Sequence, residues 1–161
     1  MVKIVDATVI LILSLALCFF YIQMLCQKIL ARRFNEEYFR SIANANQLEF
    51  PFVRKAVEEF DAPVDYPWIR MALKCDYLAL TYLLKNAANA KRRYARSEVL
   101  LMAYFRAVLL MLGLLHLLKM PERPAIVKLT EILQHFADVV GERVSNVRFG
   151  ELSASDYLLS L

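Results

Sequence analysis

His116 and His135 are the only histidines in the chain, so metal or imidazole chemistry would have to be built around one of them. A carboxylate di-iron bundle needs two Glu-x-x-His units and two further Glu. Here Glu131 and His135 stand four residues apart, once. His116 has no second ligand near it in sequence, so metal or haem binding is not expected. Nucleophilic chemistry fares no better. There is no Gly-x-Ser-x-Gly elbow, and none of Cys18, Cys26 and Cys75 has a neighbouring histidine. Gly113, Gly141 and Gly150 are too scattered to form a phosphate loop or a dinucleotide fingerprint. The adjacent acids Glu36/Glu37 and Glu58/Glu59 diverge by about 100° on a helix, which makes them surface charge before an acid–base pair. Three polar groups remain, each set in an apolar stretch: Asp76, Arg106 and His116. An enzyme acting on a lipid or other hydrophobic substrate would have to make its pocket from these three. No cofactor is implied by them.

Two long helices must carry this trio. Asp65 is a good N-cap, Pro67 is tolerated in a first turn, and the pattern predicts a helix from about Tyr66 to Asn89. Arg70, Lys74, Tyr77, Thr81 and Lys85 form its polar stripe. Ile69, Ala72, Leu73, Leu80, Leu83 and Ala87 form the opposite face, and Asp76 falls among them. Ser97 is read as the cap of the next helix, Val99–Leu118, which is apolar nearly all round apart from Arg106, Gly113 and His116. Such a helix is buried in a bundle or spans a membrane. In an antiparallel hairpin turning between residues 90 and 97, Arg106 lies about 7 Å along the axis from Asp76. The expectation is a buried Asp76–Arg106 pair that sets register more than it adds stability. Val99–Leu118 is then the central helix, and His116 a core-edge residue bonded to a neighbour.

The stretch Ala7–Cys26 places the whole chain. Its twenty residues hold no charge, Pro or Gly, and as a helix it covers about 30 Å, the thickness of a hydrocarbon core. It is longer than the apolar core of a secretory signal and lacks a small-x-small cleavage pair. An uncleaved span is expected. Lys3 and Asp6 cancel before it, while Lys28, Arg32 and Arg33 follow it, which puts the N-terminus outside and the bulk in the cytoplasm. A bacterial inner membrane suits this topology. Hydrophobic residues make up 59% of the chain, and residues 31–161 still hold roughly 55%, above the usual 45–50%. A domain this apolar is expected to bury surface in partners as well as in its own core. Few Gly and Pro exclude an all-β reading, and the unpaired cysteines suit a reducing compartment.

The rest of the chain reads as helices and punctuation. Lys28–Gln47 keeps helical periodicity and is expected to extend the span as a stalk. A short element runs from Pro51 to Phe60, and DAPVDYP (61–67) is a linker. Lys91, Arg92, Arg93 and Arg96 cluster in a turn, with anionic headgroups or an acidic partner as the functional alternative to simple solvation. Nucleic acid is not expected from one aromatic and four charges in a turn. Ala125–Val140 is the last clear helix, with Lys128, Glu131, His135, Asp138 and Glu142 facing out and Gly141 as terminator, unless Val144 prolongs the helix past it. Tyr157, Leu158, Leu159 and Leu161 make an apolar tail that docks on the bundle or in a partner's groove.

The reading is an all-α protein: an N-terminal single transmembrane helix followed by a cytoplasmic bundle of four or five helices. Its divisions are 1–30 anchor, 31–64 juxtamembrane helix and linker, 65–145 bundle and 146–161 tail. The expected function is non-enzymatic, an accessory or scaffolding subunit of a larger membrane complex. Its expected partners are other subunits and membrane lipids. A two-span sensor or transport accessory is the other alternative, with Val99–Leu118 as the second span.

Overall fold

A computed structural model of the chain describes residues 2–34, 38–59, 65–86 and 94–159, with side chains for 7–145 within those ranges. Among these residues there are helices and no strands, and the chain divides into two units, Met1–Arg33 and Phe34–Leu161. The first unit is a single helix, α1 (Val2–Leu30). Its segment Ala7–Leu30, with a mean hydropathy of 2.5 over its most apolar 18 residues, is long and apolar enough to cross a membrane. Every side chain from Ala7 to Tyr21 is exposed. The expected stalk does not form. The helix closes at Leu30, with the Ala31 amide donating to the Gln27 carbonyl at 2.9 Å and Arg32 to Ile29 at 3.1 Å.

The second unit holds two short helices, α2 (Tyr38–Ala45) and α3 (Phe50–Glu59), and three long ones: α4 (Tyr66–Asn86), α5 (Arg96–Leu117) and α6 (Arg123–Leu159). All four others pack against α6. This corrects the centre of the bundle, which the apolar content of Val99–Leu118 had suggested was α5. α6 presents Ile126, Leu129, Ile132, Leu133, Phe136 and Ala137 fully buried, and it is enclosed on nearly every side from Leu129 to Gly141. α5 instead buries one face, Leu101, Phe105, Val108 and Leu112, and leaves the other open. With a mean hydropathy of 2.0 over its most apolar 18 residues, α5 is the second helix long and apolar enough to cross a membrane.

Gly141 explains why α6 was read as shorter than it is. Glycine near the end of an apolar pattern usually marks a terminator. Here the helix runs straight through it, and the glycine serves another purpose, since a Cβ at 141 would collide with the Cβ of Tyr38 at the start of α2. The glycine is a seat for α2, and α6 continues to Leu159. The stretch read as a separate tail is therefore helical backbone of α6 up to that residue. The side chains of Tyr157, Leu158 and Leu159, and all of Leu161, lie outside the described residues.

Candidate interaction site

The buried charges of the second unit close helix ends. An α-helix leaves its first N–H and last C=O groups without intrahelical partners, and burying them bare is costly. α3 begins at Phe50, and Asp76 Oδ2, on α4, accepts from the Glu49 amide at 2.9 Å and the Phe50 amide at 2.6 Å. Pro51 has no N–H to satisfy, and the amides of Phe52 and Val53 both donate to the Glu49 carbonyl at 3.0 Å. Asp138 on α6 does the same for α2, its Oδ1 accepting from the Phe39 amide at 2.9 Å. Each short helix is thus capped by a buried aspartate from a long one. Arg143 on α6 closes a third junction. Its Nη1 donates to the Leu84 carbonyl at the end of α4 at 2.9 Å, and its Nη2 pairs with Glu98 Oε1. The other Glu98 oxygen accepts from the Ala95 amide at 3.0 Å, capping α5. Ser97, expected as that cap, is exposed within the helix.

The expected Asp76–Arg106 pair does not form. Tyr66 stacks on His116 with ring centroids 3.8 Å apart, and Tyr77 on Phe105 at 4.3 Å. These contacts are eleven residues apart on each helix and antiparallel, so position 76 lies level with position 106. The two side chains nevertheless turn away from each other. Tyr77 and Phe105 occupy the line of contact, and the residue next to each is rotated by about 100°. Asp76 turns inward under α3, while Arg106 is exposed. Tyr77, placed by pattern on the polar stripe, is buried. His116 is exposed on one side, and its Nδ1 lies 2.7 Å from Glu122 Oε1. Asp76, Arg106 and His116 do not converge on one pocket.

His135 and Asp138, expected to face solvent, are both buried. His135 meets the Phe34 ring edge-on at 5.4 Å. No three His, Cys, Asp or Glu side chains come together as metal ligands among the described residues. Of the basic cluster, Lys91, Arg92 and Arg93 lie outside the described residues, and Arg96 is exposed at the start of α5. Tyr94 between them is docked, its hydroxyl donating to the Thr81 carbonyl at 3.2 Å.

Comparison with protein-family models, with curated proteins and with solved structures finds no match to this chain. What the second unit offers is surface. On α4, Trp68, Met71, Cys75, Leu78 and Tyr82 are all exposed at alternating spacings of three and four. That spacing keeps five side chains in one line down a helix, as in a coiled-coil seam. Met71 is 69% exposed, Leu78 56% and Tyr82 68%. The upper half of this line forms one wall of a cleft of about 430 Å³. The turn Asn46–Glu49 forms the other, held tight because Gln47 takes a left-handed backbone (φ 51°) and the Leu48 amide donates to the Ala43 carbonyl at 3.0 Å. Asp76 and Glu49 give the cleft two carboxylates and no cation among its described lining residues. Burial raises the Asp76 carboxyl above its ordinary value; the Phe50 and Glu49 amides pull it back, and the Glu49 carboxyl pushes it further up. Pattern reading missed this face because Cys75, Leu78 and Tyr82 interleave with the polar stripe Arg70, Lys74, Lys85. The signal was present in the three–four spacing, which marks a second apolar line beside the one α4 buries on α6.

Proposed function

We propose that the protein is a non-enzymatic accessory subunit of a larger membrane complex, anchored by α1 and joined to a neighbour through α4. The observation that carries this reading is the exposed line Trp68–Met71–Cys75–Leu78–Tyr82. Aromatic and methionine side chains are enriched at the cores of protein interfaces, and an unpartnered three–four seam fits a helix laid against it. The carboxylate-lined cleft beside it favours a neighbour that brings a basic side chain near its end. In this reading α1 crosses the membrane once with its N-terminus outside, Lys28, Arg32 and Arg33 mark the cytoplasmic flank, and the membrane is a bacterial inner membrane.

The test is recovery by a C-terminal tag from gently solubilised membranes, with stoichiometry measured for the chain and for Leu78→Glu. Partners in fixed near-integer ratio with the unmodified chain, lost with Leu78→Glu at unchanged helicity, are expected. A lone chain would overturn the reading. Partners retained by Leu78→Glu would remove α4 from it.

A further inference from the structure

The end of α5 carries an apolar patch of a different kind from the line on α4. Leu110, Met111, Leu114, Leu117, Leu118 and Met120 are all exposed, Leu110 at 67%, Leu117 at 78% and Leu118 at 66%. The last three lie at the helix terminus and in the turn towards α6. The chain reverses there through Lys119 in a left-handed backbone (φ 54°), with the Met120 amide donating to the Leu115 carbonyl at 2.9 Å. The same turn closes α2, and there the apolar residue after the left-handed position, Leu48, is buried, as is usual for this motif. At the end of α5 its counterpart Met120 is in the open. The patch therefore wraps a projecting corner and shares no residue with the cleft beside α4.

Its chemistry separates it from a protein interface. Its exposed apolar side chains are leucine and methionine, without the Trp or Tyr anchors that carry much of the binding energy between proteins. The acid at the corner, Glu122, is engaged by His116 at 2.7 Å, while Lys119 and Arg123 are exposed in and just after the turn, as suits anionic headgroups. The connection from Leu30, the end of α1, to Phe34, where the second unit begins, is short. If α1 crosses a bilayer, the second unit is held at that bilayer's surface. We propose that the α5–α6 corner dips into the lipid leaflet, Leu117 and Leu118 deepest, as a monotopic membrane contact additional to the anchor. This rests on the reading of α1 as a span and is independent of any partner on α4.

The test places one tryptophan at a time in the full chain, reconstituted into phosphatidylcholine vesicles containing phosphatidylglycerol. Trp68, the sole tryptophan, is first replaced (Trp68→Phe). Leu15→Trp then reports α1, Leu117→Trp and Leu118→Trp the corner, Leu110→Trp the middle of α5 and Val99→Trp its start. Lipids brominated on the acyl chain should quench and blue-shift Leu15→Trp, Leu117→Trp and Leu118→Trp. Quenching should fade through Leu110→Trp, and Val99→Trp should answer only to aqueous iodide. Both corner positions unquenched while Leu15→Trp is quenched would overturn the corner contact and leave the anchor standing. Protection of the corner from lipid and iodide alike would overturn it in favour of a second copy or another protein. Deepest quenching at Leu110→Trp would overturn it in favour of α5 crossing the bilayer. No quenching even at Leu15→Trp would remove the anchor, and this proposal with it.

Discussion

At Gly141 two effects of opposite sign meet, and replacing it with alanine decides which governs. Within a helix interior, Gly→Ala gains about 1 kcal/mol from backbone entropy and propensity. Against that, the new Cβ would collide with Tyr38 Cβ and stand 2.9 Å from Cγ and 3.3 Å from Cδ1 of the same ring. A rotamer change cannot relieve a Cβ–Cβ collision, so α2 must lift off α6 as a body. Overpacking of this kind costs about 1–3 kcal/mol. Lifting α2 also strains the 2.9 Å bond from the Phe39 amide to buried Asp138, and a buried donor left unmade costs about 1–3 kcal/mol more. After the propensity gain, Gly141→Ala should lose about 3 kcal/mol, taking middle values of those ranges. The assay is chemical unfolding of the full chain in mild detergent, followed by the emission of Trp68. Tyr38→Gly removes the colliding atom, so Gly141→Ala made in that background should gain stability by about 1 kcal/mol. A gain in the unmodified background would refute the close approach of α2. A loss in both backgrounds would mean that Gly141 ends a helix after all.

The junction charges give two further outcomes. Burial holds the Asp76 carboxyl above its ordinary value, so the folded chain binds that proton more tightly than the unfolded one. The stability linked to this proton is complete below about pH 3.9, the unfolded value, and is lost as pH rises through the higher native value. Asp76→Asn abolishes the slope, so in denaturant titrations the unmodified chain should lose stability relative to the variant with rising pH; a gap that is flat or opens the other way refutes this. Arg143→Ala leaves Glu98 buried and without its cation and should cost about 3–5 kcal/mol. Adding Glu98→Gln should recover part of that loss in the same unfolding assay, and strict additivity of the two changes would show that the pair is not coupled.

What was legible in the sequence was the presence of most helices, though not all their ends: α1 closes before the expected stalk and α6 runs past Gly141. The apolar run from Ala7, the start of α4 at Tyr66 beside Pro67, and the all-α class follow from composition and local spacing. What was not legible is which helix the others need. Periodicity sorts a helix into apolar and polar faces, and it sends Asp138 and His135 outward because they sit with Lys128 and Glu131. It carries no information that an aspartate on a long helix is required by the unsatisfied amides of a short one a hundred residues earlier. For the same reason Asp76, a misfit on an apolar face, was matched to the cation nearest in register. The expected 7 Å offset between the two was wrong as well, since the stacked pairs Tyr66–His116 and Tyr77–Phe105 set position 76 level with 106. The actual donors to Asp76 are backbone amides, which leave no trace in residue type.

The capping arrangement also bears on order within the second unit. α2 has eight residues and α3 ten, shorter than the roughly 12–15 that make an isolated helix even marginally stable in water. Neither is capped from within its own described residues by a side chain of its own; each waits on an aspartate that is placed only once α4 and α6 are in position. The turn Asn46–Glu49 that walls the cleft on α4 lies between these two dependent helices. Its shape is therefore set by the same contacts that hold α2 and α3 down, with Asp76 both lining the cleft and capping α3. If a neighbour docks along Trp68–Tyr82 as proposed, it meets α4 and, at one end, a wall whose position depends on Asp76 and Asp138. In that proposed arrangement Asp76 both lines the docking cleft and caps α3, so Asp76→Asn should weaken recovery of the partner as well as the fold.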